Sequence, residues 1–329
     1  MCIFAYGQTG AGKTYTMEGG ADGKGVNYQA LHHIFSTVER ERKTSLENKY
    51  TVQLSVVEIY LETVRDLLNP AGAKQVDVRQ GGDSVYIPDL TEVVVNNTAE
   101  VRELMLKQAG PNRSVRGTSM NEHSSRSHCL LMVNVVKKNV LKGTSTTGKL
   151  VLIDLAGSER LKKSEAKGQG MKEAQAINKS LAALGNVINA LQNKSSHVPY
   201  RDSKLTFLLQ NSLGGSCKCL MFCQVSPASD NYQETSCSLQ FASRVRATKL
   251  GTAKKNTGAD VTAIKQKAQK DAAKQQQKSQ QKISDQLLST QKALEKKDEK
   301  VGTRCTALCG CVLSFFRSVF FVVALFLSE

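Results

Sequence analysis

A chain of 329 residues, 40% hydrophobic and 22% charged, is long enough for one large domain with its own core plus an appendage. Its formal net charge of +16 calls for an acidic partner, which composition leaves open among nucleic acid, an anionic membrane and an acidic protein face. Nine cysteines, with no CxxC pair and no histidine at zinc spacing, argue against a disulfide framework or a zinc module.

Residues 1 to about 251 read as one α/β domain. Cys2–Tyr6 is an apolar run ending at a glycine and predicts a buried strand. Gly7-Gln8-Thr9-Gly10-Ala11-Gly12-Lys13-Thr14 follows it directly and fits GxxxxGK[ST]. Glycines there let backbone N–H groups face phosphate oxygens without a Cβ in the way. Lys13 would reach the β- and γ-phosphates, Thr14 would ligate magnesium, and a helix beginning near Lys13 would add its positive end. Chance matches to this pattern are common, and the strand before it supplies the required context. The ligand is therefore a nucleoside triphosphate with magnesium.

Segment 19–25 reads as a loop, and 51–60 as a strand whose Val52, Leu54 and Val56 alternate while Val57 and Ile59 fall out of phase. Loops are expected over 71–82 and 140–148, a helix over 98–109 opening at Thr98, and strands over 129–137 and 149–154. Apolar residues at 176, 177, 181, 184, 187, 188 and 191 predict a helix over 173–191. A shorter helix over 203–212 and a strand over 220–226 complete the domain. Cys129, Cys219, Cys223 and Cys237 read as small buried apolar residues, and the absence of a secretory signal reads as reduced thiols in the cytoplasm.

Two further motifs carry chemistry. Asp154 ends an apolar strand in VLIDLAGSE, where a carboxylate serves the magnesium side of a P-loop site, and Gly157 would offer its N–H to the γ-phosphate. A turn or N-cap role for Asp154 is the plain alternative, and it leaves the Asp–Gly spacing after a core strand unexplained. Asn121 to His128, NEHSSRSH, taken alone is a polar loop. Beside the other two motifs it reads as a γ-phosphate sensor.

The trio GQTGAGKT, NEHSSRSH and DLAGSE, in that order, resembles the kinesin motor domain. The resemblance continues through 172–191, 197–206, 212–227 and 238–245, and so spans residues 1 to about 250. It implies a P-loop NTPase three-layer sandwich: a central, mostly parallel or mixed sheet flanked by helices. It implies ATP and Mg2+, with Thr14, Ser125 and Asp154 around the metal, and Asn121, Ser124 and Asn178 completing the pocket. Ser125, Arg126, Gly157 and Glu159 would carry catalysis, Arg126 and Glu159 pairing as the two switches close around the attacking water. The same resemblance implies a microtubule partner and a cytoskeletal location in the cytoplasm.

Charge agrees with such a filament. Between Arg160 and Lys204 nine Lys/Arg face three Asp/Glu, and Lys162, Lys163, Lys167, Tyr200, Arg201 and Lys204 are the expected contacts. An ordinary solvated basic face is the plain alternative. Segments 25–31, 64–68 and 250–256 look like the C-terminal-motor, minus-end-directed class, which implies a preceding neck coiled coil and a homodimer in the full-length protein. Opening strands and an adenine-contacting segment usual in kinesins do not precede this P-loop, so an N-terminally truncated motor is expected. Two rivals are a microtubule-binding protein that does not cycle ATP, and a nucleic-acid-binding P-loop ATPase. The basic segments lack stacking aromatics, so nucleic acid is not the expected partner.

Beyond Gly251 the character changes. Residues 252–304 form a Lys/Gln-rich linker or weak coiled coil, with Leu287, Leu294 and Val301 spaced by seven and Thr290 interrupting the seam. Residues 305–328 are nearly continuously apolar around Arg317, and long enough for a transmembrane tail anchor. The alternative is that this end is not native coding sequence.

Overall fold

The computed structural model describes residues 1–250 apart from 21–23, 83, 115–124, 161–167 and 215–216, together with 257–258. In chain order the elements are β1 (Cys2–Tyr6), α1 (Lys13–Glu18), α2 (Val26–Thr44), β2 (Asn48–Tyr60), β3 (Thr63–Asp66), β4 (Lys74–Val76), β5 (Arg79–Gly81), β6 (Ser84–Tyr86) and β7 (Val93–Val94). Then come α3 (Thr98–Leu104), running into a π-helical turn at Met105–Ala109, β8 (His128–Asn139), β9 (Thr144–Asp154) and α4 (Gln169–Gln192). Finally there are α5 (Lys204–Leu208), α6 (Gln210–Leu213), β10 (Cys219–Cys223), α7 (Tyr232–Ala247) and β11 (Thr257–Gly258).

The main sheet has the order β10-β1-β9-β8-β2-β3-β4 and is mixed: β1 runs parallel to β9 and β10, while β9, β8, β2, β3 and β4 alternate in direction. Helices cover both faces. On one, Cys2, Phe4, Val57, Leu130 and Ile153 pack against Leu181, Leu184 and Ile188 of α4, Leu205 of α5 and Phe241 of α7. On the other, Ile3, Ala5, Leu54, Leu131 and Leu152 pack against Met17 of α1, Leu31, Phe35 and Val38 of α2 and Val101 of α3. Strands in the middle of such a sandwich are buried on both sides, so they read as apolar runs rather than alternations.

That arrangement explains the broken alternation of β2. Val52, Leu54 and Val56 face the α1–α3 layer, whereas Val57 and Ile59 face the α4–α7 layer, and every residue from Leu54 to Ile59 is buried. The expected loop at 140–148 is shorter than its Thr, Ser and Gly content implies. Its turn closes at 140–143, where Asn139 Oδ1 accepts from the Lys142 N–H at 2.8 Å, and β9 starts at Thr144 opposite Asn139. Thr is β-branched and fits a pleated strand as readily as a turn. The segment 71–82 likewise contains β4 and β5.

α3 opens at Thr98 as expected and is capped by Asn97: Asn97 Oδ1 accepts from the Glu100 N–H at 2.9 Å, and Glu100 accepts from the Asn96 N–H at 2.8 Å. Ser203 and Thr206 form a capping box for α5, and the single helix expected over 203–212 is divided at Leu209. Cys129 is buried as expected, but Cys219, Cys223 and Cys237 are only half-buried. β10 has one sheet neighbour among the described residues, so its flank is open, and Cys237 lies on α7 with Arg160 donating to its sulfur at 2.8 Å. The compact unit containing the sheet runs from Met1 to Val261, with Thr257–Gly258 of β11 antiparallel to β9. Among the described residues no helix is long and apolar enough to cross a membrane. The apolar run at 305–328 and the Lys/Gln-rich stretch, apart from 257–258, lie outside the described residues.

Candidate nucleotide site

β1 delivers the phosphate loop to the edge where β1, β9 and β10 end together. Tyr6 O accepts from the Gln224 N–H at 2.8 Å, and Gly7 O accepts from the Ser158 N–H at 3.0 Å, so the loop is tied to the segments following β10 and β9. A Cβ at Gly7 would overlap the Gln224 carbonyl, which leaves glycine as the residue that fits. Gly12 sits at φ 93° as the N-cap of α1, a left-handed conformation that glycine adopts at little cost. Lys13 is 6% exposed, and its Nζ donates to the Gln8 carbonyl at 2.9 Å, curled over its own loop. Burial lowers its pKa, while Asp154 and Glu159 pull it back up.

The acid comes from β9. Asp154 aligns with Ala5 of β1 on one side and Cys129 of β8 on the other, and Cys129 aligns with Glu58 of β2, so two buried carboxylates share one row of the sheet. Thr14 Oγ1 donates to Asp154 Oδ2 at 2.6 Å. Asp154 Oδ1 is buried and has no hydrogen-bond partner. Burial pushes the carboxyl above its usual range, against the opposing pull of the Thr14 hydroxyl, Lys13 and Arg113. An orphaned carboxylate oxygen beside a hydroxyl, next to a phosphate loop, is the hard-oxygen chemistry that suits magnesium. Thr14 and Asp154 are the residues that would hold it.

The switch side is held by side-chain contacts. Both oxygens of Glu159 are engaged by Thr9, whose N–H donates at 2.8 Å and whose hydroxyl donates at 2.6 Å. Arg126 pairs instead with Glu173 at the start of α4, at 2.6 Å, and Tyr60 donates to the other Glu173 oxygen at 2.6 Å. These contacts hold Arg126 and Glu159 on separate partners, and the pairing expected as the two switches close would require both to exchange them. Gly157 donates its N–H to the Ser125 carbonyl at 2.9 Å, which brings the two motifs together through backbone. Asn178 is half-buried, and its amide donates to Ala174 O at 3.0 Å within α4. Asn121 and Ser124 lie outside the described residues.

Three residues to which the sequence assigned no role, one of them His128 at the end of NEHSSRSH, hold this side in place. His128 is 2% exposed; its Nδ1 accepts from the Ala156 N–H at 3.0 Å and its Nε2 meets Ser180 Oγ at 2.8 Å. Ser180 spends its only proton on the Ile177 carbonyl at 2.7 Å, so Nε2 must be the protonated nitrogen of a neutral ring. Burial, with Lys13 adding to it, lowers the His128 pKa to about 3. Glu58 is fully buried and accepts from the Ser114 N–H and hydroxyl at 2.9 and 2.5 Å and from Ser127 at 2.9 Å, with Arg113 at 3.7 Å and Arg65 at 3.4 Å. Glu173, the third, is named above. The signal available for Glu58 was an acidic residue between Val57 and Ile59, the two apolar positions out of phase in the expected strand over 51–60.

Of the expected filament contacts, Arg201 is exposed, donates to Gln80 at 2.7 Å and lies 5.8 Å from the Phe207 ring. Tyr200 is half-buried against the α4–α7 core, and Lys204 has its N–H on Glu62 at 3.0 Å. Lys162, Lys163 and Lys167 fall outside the described residues.

A sequence model described as the kinesin motor domain matches residues 1–248. Kinesin-like protein KIN-14R of Arabidopsis thaliana is 50% identical over 275 residues, which is 82% of this chain and 25% of that protein. A solved fast kinesin is 44% identical with a TM-score of 0.69, covering 79% of this chain and 73% of that one. A KIF14 dimer, solved with AMP-PNP in complex with a microtubule, is 34% identical with a TM-score of 0.71, covering 80% and 76%. This chain spans about a quarter of the length of that KIN-14 relative. With the Thr14–Asp154 site and the mixed sheet in place, the match over residues 1–248 makes the chain a member of the kinesin motor-domain family.

Proposed function

We propose that this chain carries the motor domain of an ATP-driven microtubule motor whose movement is directed to the minus end. The observation that carries the ATPase reading is the buried Thr14–Asp154 contact with its unpartnered carboxylate oxygen, beside a phosphate loop whose lysine is already in place. Magnesium bound there would neutralise phosphate charge during transfer. The chain's own residues do the rest. Backbone N–H groups of Gly10 to Lys13 cradle phosphate oxygens, and Lys13 exchanges the Gln8 carbonyl for them. Arg126 and Glu159 leave Glu173 and Thr9 to meet each other, shutting water out except at the reacting position.

The microtubule assignment rests on family membership and on the basic stretch from Arg160 to Lys204; the KIF14 neighbour was solved on such a filament. Direction rests on the KIN-14 relatives and on the subclass segments. The Lys-rich stretch at 252–300, with twelve Lys against six acidic residues, would add a salt-sensitive tether to an acidic filament. Microtubule-stimulated ATPase of this chain and of Lys13→Ala decides the matter. Stimulation lost by on the order of 10²–10³-fold in the variant supports the reading. Filament binding with no ATPase in either protein would replace it with that of a non-cycling microtubule binder. Gliding of polarity-marked microtubules tests direction, and plus-end-directed movement would overturn that part.

A further inference from the structure

Three sulfur atoms gather where β1 meets β10, and the nucleotide site uses none of them. Cys2 and Cys219 stand opposite each other in the parallel register of the two strands. Cys217 lies two residues before Cys219, and all three pack against the core layer formed with α4 to α7. Neighbouring strands are about 4.8 Å apart, which places an in-register pair inside the roughly 4.4–6.8 Å Cα separation a disulfide spans. Cys2 is fully buried, while Cys219 is half-buried on the open flank of the sheet. The Cys219 thiol donates to the Ser212 carbonyl at 3.1 Å, a contact it gives up on ionising.

We propose that Cys219 is a peroxide-reactive thiol that Cys2 resolves, closing a reversible disulfide between β10 and the strand that leads into the phosphate loop. The environments of the two sulfurs divide the work. A hydrogen bond from Cys2 lowers the Cys219 pKa against the opposing effect of burial, with the N-terminal ammonium and then Cys217 adding to the lowering. The hydrogen bond to Cys219, and then burial, raise that of Cys2, which therefore stays a protonated thiol. The thiolate is the form that peroxides oxidise. Among the described residues no group of three or more His, Cys, Asp or Glu is arranged to hold a metal ion, which favours redox chemistry over metal binding.

The steps balance with hydrogen peroxide as oxidant. The Cys219 thiolate attacks one peroxide oxygen, the O–O bond breaks, and the departing hydroxide takes a proton to become water, leaving a sulfenic acid. The Cys2 sulfur then attacks Cys219, the S–O bond breaks, and the hydroxide leaves with the Cys2 proton as a second water. Two thiols have lost two electrons and two protons, and one peroxide has become two waters. The new bond ties β1 to β10 five residues before Gly7.

The test treats the full chain with hydrogen peroxide, alkylates the remaining thiols and maps disulfides by peptide mass. The expected result is a Cys2–Cys219 link that dithiothreitol reverses. Cys2→Ser should leave a Cys219 sulfenic acid that dimedone traps, and Cys219→Ser should slow thiol loss by about ten-fold. Should that variant not fold, the alkylation rate of each cysteine in the unmodified protein at neutral pH gives the same answer, with Cys219 ahead of Cys237. Equal rates for Cys219 and Cys237, or a link from Cys219 to Cys217 or to another molecule, would overturn the proposal.

Discussion

The phosphate loop and the switch segments meet at one site but are held by different means. Gly7 to Thr14 is positioned by backbone: Tyr6 and Gly7 carbonyls fixed by Gln224 and Ser158, and a left-handed Gly12 that starts α1. Lys13 is buried yet holds only the Gln8 carbonyl, so it can change partner without moving the chain. The switch side is positioned by side chains. Arg126 depends on Glu173, Glu159 on Thr9, and both motifs on His128 and Glu58 beneath them. A part that binds needs a fixed frame, and a part that signals needs contacts it can trade.

The sharpest way to break this contrast is at its shared residue. Asp154→Asn should lower ATPase by on the order of 10²–10³-fold. The same change should raise Tm at neutral pH by about 2–4 °C for each ~1 kcal/mol of relieved burial. Burial raises the folded-state pKa of this carboxyl, so its ionisation opposes folding as pH rises. A fall in Tm would show that Asp154 is a structural support.

His128 probes the switch side through pH. Its folded pKa of about 3 lies below the unfolded value, so the unfolded chain binds more protons. Its contribution is complete above about pH 6.5 and is lost as pH falls toward the folded value, with a slope approaching ~1.4 kcal/mol per pH unit. Urea unfolding between pH 7 and 5 should show that slope in the protein and lose it in His128→Asn. Equal slopes in the two would mean that the ring is not held neutral.

Glu58→Gln should cost about 1–3 kcal/mol in the same assay, because Arg113 and Arg65 lose a buried counter-charge and one serine donor loses its acceptor. An unchanged midpoint would show that the network is not needed for stability. The smallest effect concerns the competition for Arg126. Glu173→Gln exchanges a charged acceptor for a neutral one, worth ~1 kcal/mol, and should raise basal ATPase about five-fold by releasing Arg126 toward Glu159. A fall in basal ATPase would mean that Glu173 supports the reactive arrangement.

Local pattern settled a good deal of this molecule. The strand at Cys2–Tyr6, the phosphate loop after it, Asp154 at the end of its strand and the long helix through Leu181–Leu191 follow from apolar runs, glycine placement and helical spacing. The expected elements omit α2, although Leu31, Phe35 and Val38 are spaced for one helix face. α7 was not legible, because its buried positions are Glu234, Ser238 and Phe241, a stripe that two polar residues hide. Tertiary structure alone decided which charges meet. Arg126 goes to Glu173, Glu159 goes to Thr9, and a neutral His128 joins Ala156 to Ser180, in each case across a gap in sequence that periodicity cannot see. Backbone geometry is written in neighbouring residues, whereas a buried charge takes whichever partner the packed sheet and helices bring within reach.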